Sequence, residues 1–162
     1  MRSCEGFAAM YFGGRERAGE AMSLMIYAWG PEATNVPDLD GDRSFGFERY
    51  RDELWASTAV RRTGAEMIPR LAVGELFVDH ADLQVLEAEA RRIGDSSKTI
   101  AAEVFDASEP GPGAVIAKGT DGAHLYDAWG GRSPSESIER YIGNLIRAIG
   151  VARQAGCGIQ IW

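Results

Sequence analysis

The chain has 162 residues, 45 % of them apolar, and a formal net charge of −7. That length suits one hydrophobic core, and that apolar content excludes a disordered tail protein. The acidic balance argues against nucleic acid as a direct partner, which needs dense Lys and Arg, and no apolar run approaches the roughly 20 residues of a membrane helix.

Residues 1 to about 22 carry no clear period and read as an N-terminal extension ahead of a single domain over 23–162. Phe7, Met10, Tyr11 and Phe12 would also suit an added helix covering part of the core. Met1 to Met10 lacks the apolar stretch of a secretion signal, and Glu5 interrupts it. Cys4 and Cys157 stand at opposite ends of the chain, so no structural disulfide and a reducing, cytoplasmic location are expected.

Leu24 to Trp29 is a short apolar run ended by Gly30-Pro31, a strand signal. The stretch from Glu32 to Asp42, with Asn35, Pro37 and three aspartates, reads as a loop. A helix is predicted over 45–63, with Phe47, Tyr50, Leu54, Trp55, Thr58 and Val60 as its apolar stripe, Ser44 as N-cap and Gly64 as the stop. Glu66 to Val78 reads as extended, since Ile68-Pro69 disfavours helix and Val73-Gly74-Glu75 looks like a turn or bulge.

Asp79 is positioned to cap a second helix over 80–93, in which Leu83, Leu86, Ala90 and Ile93 recur at three and four and Gly94 ends the run. Ser97 to Asp106 suits a short helix or a strand equally. Glu109 to Gly113 is a break, and Ala114–Lys118 and Ala123–Trp129 flank a Gly119 to Gly122 turn as a hairpin. Ser133-Pro134-Ser135-Glu136 is a capping box with proline at the first helical position. The helix it opens, over 134–155, carries Ile138, Tyr141, Ile142, Leu145, Ile149 and Ala152 on one face. Gly156-Cys157-Gly158 stops it before a terminal strand, 159–162, placed at a sheet edge. The expected fold class is α+β, a mixed or mainly antiparallel sheet of about five strands packed with three main helices.

Few groupings carry chemistry. Asp38-Leu39-Asp40-Gly41-Asp42 gathers oxygens as a calcium loop does, but Arg43 stands where such a loop turns on glycine and Arg49 where a glutamate closes it. The simpler reading is a turn whose acids favour the start of the next element. His80 with Asp82, and His124 with Asp127, would form a metal or acid–base site if folding joined them. Otherwise they are surface histidines beside caps and turns. No nucleophile elbow, phosphate loop or dinucleotide fingerprint occurs, and no cofactor is expected. Trp29, Trp55, Trp129 and Trp162 are expected in the core or at its rim, with Trp129, between Ala128 and Gly130, the candidate interface anchor.

Two stretches, LAVGELFVDHADLQVLEAEARRI over 71–93 and YIGNLIRAIGVARQAGCGIQIW over 141–162, resemble small bacterial immunity proteins that neutralise polymorphic toxins. The resemblance lies in layout and covers about a quarter of the chain. It implies an acidic, non-catalytic binder that masks a toxin domain. The leading expectation is therefore a protein-binding module meeting a basic partner through Asp38, Asp40, Asp42, Glu48, Asp52 and Trp129. The alternatives are a small metal-dependent enzyme using His80, His124 and nearby acids, and a structural subunit of an oligomer joined through strand 159–162 or Trp129.

Overall fold

The computed structural model describes residues 23–30, 36–105 and 133–162. Four strands are present among them: β1 (Ser23–Trp29), β2 (Ser44–Phe47), β3 (Leu76–Val78) and β4 (Gly158–Ile161). The helices are α1 (Thr58–Arg62), α2 (Leu83–Asp95), α3 (Ser97–Val104) and α4 (Pro134–Gln154), with a π-helical turn at Arg51–Trp55 and 3₁₀ turns at Ile68–Val73 and His80–Asp82. The protein is thus mixed α and β.

The sheet is antiparallel throughout, in the order β2-β1-β4-β3. A strand turns successive side chains to opposite faces, and the register here aligns them across the sheet. Ile26, Ile161 and Leu76 form one row, and all three are buried. Tyr27, Gln160 and Phe77 form the next, on the opposite face. Leu24, Ile26, Leu76, Val78, Ile159 and Ile161 therefore point inward, where α4 lies against β1, β2 and β4 and carries α2 and α3 on its other flank. The buried apolar residues of all these elements belong to one cluster.

Helix α4 starts as its sequence dictates. The Glu136 amide donates to Ser133 Oγ at 3.3 Å and the Ser133 amide donates to the Glu136 carboxyl at 2.7 Å, which satisfies two of the donors a helix start leaves without partners. Its apolar face, Ile138 to Ala152, is buried at every predicted position. Helix α2 buries Leu83, Leu86, Ala90 and Ile93 as expected.

The predicted helix over 45–63 is not one helix. Ser44 begins β2 instead of capping a helix, and its amide donates to Asp42 Oδ1 at 3.0 Å. Phe45, within β2, is fully buried, and Gly46 has φ +102°, a conformation that side chains with a Cβ rarely adopt. A Cβ at Gly46 would also lie 2.5 Å from the Tyr50 ring. The aromatic packing takes precedence over helical period: Trp55 stacks on Phe45 at 4.2 Å between centroids, and its indole N–H donates to the Phe45 carbonyl at 3.0 Å. Helix proper begins only at Thr58, where Ser57 Oγ accepts from the Val60 amide. Gly64, at φ +82°, follows its end as expected.

The stretch 66–78 is extended only in β3. Ile68–Val73 is a 3₁₀ turn, and a buried acid collects the amides that lead into it: Glu89, 2 % exposed, accepts from Glu66, Met67 and Ile68 at 2.8–3.2 Å. Asp79 does not cap α2 with its side chain; its carbonyl accepts from the Asp82 amide, and α2 begins a turn late and runs through Gly94 to Asp95. Residues 97–104 are helical, which resolves the ambiguity there as α3.

The strand at 158–161 is not an edge strand. It lies between β1 and β3, and the described sheet has four strands instead of about five. Gly158 lets it approach β3: a Cβ there would sit 2.2 Å from the Val78 carbonyl. The extension over 1–22 and the hairpin over 114–129 lie outside the described residues.

Candidate functional site

The acid-rich loop before β2 is tied to the fold. Arg140 of α4 holds Asp42 through Nε at 2.7 Å and Nη2 at 2.5 Å. Arg147 donates to the Asp42 carbonyl and to Asn144 Oδ1, and Asn144 donates to the Ser44 carbonyl at 2.9 Å. Partial burial pushes the Asp42 carboxyl up, but the Ser44 amide, Asn144 and Arg140 together outweigh it and hold its pKa below the usual value. Between this loop and α4 lies a shallow cavity of about 170 Å³, lined by Asp38, Asp40, Arg43, Arg147 and Val151 among others.

The acids expected to form one partner-binding face have separate surroundings. Asp38 and Asp40 are exposed, and Asp38 pairs with Arg43 at 3.3 Å. Glu48 pairs with Arg51 at 2.5 Å, and Arg51 in turn donates to the Leu71 and Gly74 carbonyls, so this pair clamps the 3₁₀ turn. Asp52 is exposed on the π-helical turn. Of the expected metal group, His80 and Asp82 are both exposed on one 3₁₀ turn, and His80 Nδ1 lies 3.2 Å from the Cys157 carbonyl. No group of three or more His, Cys, Asp or Glu side chains converges among the described residues. Trp129, His124 and Asp127 lie outside them. Cys157 is buried and free.

The feature that sequence reasoning missed is the outer face of the sheet. Such a face usually alternates to polar residues where water meets it. Here it carries Met25, Tyr27, Trp29, Phe77 and Trp162. Tyr27 and Trp162 stack with centroids 5.9 Å apart, and Trp29 meets Phe77 edge-on at 5.3 Å. The Trp162 backbone extends the ladder by exchanging hydrogen bonds with Met25 at 2.7 and 3.1 Å, which fixes its ring beside β1. Phe77 is 47 % exposed and Trp162 46 % exposed, so two large rings of this cluster face solvent. Of the tryptophans expected in the core or at its rim, Trp55 is fully buried and Trp162 lies half-exposed on this outer face. The signal was available: Met25, Tyr27 and Trp29 alternate with Leu24, Ile26 and Ala28, so both faces of β1 are apolar and only one can face α4.

Chemically, this face offers flat aromatic surface to apolar groups and π-faces to cations. One cation already sits there: the Arg43 guanidinium carbon lies 5.1 Å from the Tyr27 centroid.

The fold and this face define a class no narrower than a mixed α and β protein with an antiparallel sheet covered on one side by helices. No family model, curated protein or solved structure matches the chain. Among the described residues no helix is long and apolar enough to cross a membrane.

Proposed function

We propose that the protein is a stoichiometric, non-catalytic protein-binding module, and that its partner is a bacterial toxin which it neutralises. The observation that carries the binding reading is the cluster of Tyr27, Trp29, Phe77 and Trp162 on the outer face of the sheet. Contiguous exposed apolar surface is uncommon on proteins that bind nothing, and large aromatic side chains dominate the energetics of protein interfaces. The net charge of −7 supports a basic partner, because opposite charge speeds encounter and fixes orientation. The toxin-neutralising part rests on the layout of 71–93 and 141–162.

The test is calorimetric titration of the purified chain against the product of a toxin-like reading frame beside its gene, together with an assay of that product's toxicity. One-to-one binding that abolishes toxicity is the expected result. A well-folded neighbour that neither binds nor loses toxicity overturns the toxin reading.

A further inference from the structure

Two acids stand at opposite margins of the aromatic face, Asp38 reaching it through Arg43 and Glu75 through Gln160. On the β2 side, Arg43 covers Tyr27 and is held by Asp38, whose side chain is 89 % exposed. On the β3 side, Gln160, at the centre of the middle row, donates to Glu75 at 3.2 Å, and Glu75 is exposed. Glu75 and Phe77 are two residues apart, and β3 begins between them at Leu76. Gln160 thus stands among two aromatic pairs, Tyr27 with Trp162 and Trp29 with Phe77, and a carboxyl group lies at each margin. The arginine on it is already paired with Asp38.

We propose that this face docks a protein surface with an apolar centre flanked by lysine or arginine, the apolar part lying on Trp29, Phe77 and Trp162 and the cations meeting Asp38 and Glu75. The proposal rests on the protein-binding reading above and adds where the partner sits and what it presents. Charge selects this occupant over a second copy of the chain. Two copies packed face to face would bring together two chains that each carry a net charge of −7, which opposes their association. A basic partner removes that repulsion, and its arginines gain π-faces to stack on as well as carboxyl groups to pair with.

The experiment uses the full chain and two synthetic amphipathic peptides of equal length, one of leucine and lysine, the other of leucine and glutamate, each labelled for fluorescence anisotropy. The expected result is saturable binding of the leucine–lysine peptide that weakens with added salt. The double variant Phe77→Ser/Trp162→Ser should lose at least about tenfold in affinity, and Glu75→Lys should lose severalfold. Val85→Ser, at an exposed apolar position on α2, serves as the control and should leave affinity unchanged. Circular dichroism and thermal melting confirm that each variant is folded. Should Phe77→Ser/Trp162→Ser unfold, Glu75→Lys and Trp162→Tyr carry the same comparison. Equal affinity for the leucine–glutamate peptide overturns the charge selection, and equal loss in Val85→Ser overturns the face. A dimer in sedimentation equilibrium that Phe77→Ser dissociates assigns the face to a second copy. If the double variant still binds the neighbouring gene product at full strength, this proposal fails while the protein-binding reading survives.

Discussion

Glu89 shows how much one side chain can decide. Its carboxyl group is buried on α2, and three consecutive amides, those of Glu66, Met67 and Ile68, donate to it. A buried polar group without partners is costly, and here both sides of the contact would be left without them. Glu89→Ala should therefore cost about 3 kcal/mol, read as a lower urea midpoint. Glu89→Gln keeps the shape but turns an amide donor toward other donors, so it should restore only part of the loss. The sequence hid this contact because Glu89 stands in an acidic, apparently solvated helix, between Ala88 and Ala90, and nothing local marks it as inward. The same blindness applies to Arg51, which reads as helix-surface charge but reaches across to the Leu71 and Gly74 carbonyls.

Elements were legible where local and long-range demands agree. Helix α4 has a capping box, proline at the first position and a helical apolar stripe, all pointing the same way. Ser133→Ala should cost about 1 kcal/mol in thermal or urea unfolding, since it removes the acceptor for the Glu136 amide. The region 45–63 was illegible for the opposite reason. Phe47, Tyr50 and Leu54 keep helical spacing, yet Gly46 adopts a left-handed conformation and Trp55 is bonded back to Phe45, so tertiary aromatic contacts overrule the period. At Gly158 the demand is close approach of two strands. Gly158→Ala sets a methyl against the Val78 carbonyl and should cost roughly 1–3 kcal/mol, with amide hydrogen exchange accelerated first in β3.

For the molecule as a whole, charge pairing between elements predicts a response to acid. Asp42 ties the loop before β2 to α4, and Glu87 ties α2 to α4 by accepting from Arg153 at 2.6 Å while also accepting from Arg91 at 2.7 Å. The hydrogen bonds from Arg91 and Arg153 lower the Glu87 pKa, as the Ser44 amide, Asn144 and Arg140 lower that of Asp42 against the opposing effect of burial. Both folded values lie below the ordinary 3.8 and 4.5, so the stability they contribute is present above those values and is lost as pH falls through the folded ones. Unfolding free energy should thus drop below about pH 4.5, and Asp42→Asn/Glu87→Gln should be less stable at neutral pH but show a shallower acid decline. A decline as steep in the double variant as in the parent would place the acid sensitivity elsewhere. At this scale the amphipathic helices and the net charge were readable from composition and period. The aromatic outer face was readable only in part: the run Leu24–Trp29 is apolar on both sides, but it does not reveal which side a helix will cover or which residues of other strands join it.

The position of β4 also sets an order of events. It is the latest of the described strands to be synthesised, yet it separates β1 from β3, so β1 and β2 can pair early while β3 has no strand to pair with until residues 158–161 have left the ribosome. The nascent chain must carry a half-built sheet until then, and assembly waits on a pairing that spans more than a hundred residues between Trp29 and Gly158. A stop codon before Gly158 should leave a species that never reaches the native state and is cleared by proteases, whatever the helices have achieved by then.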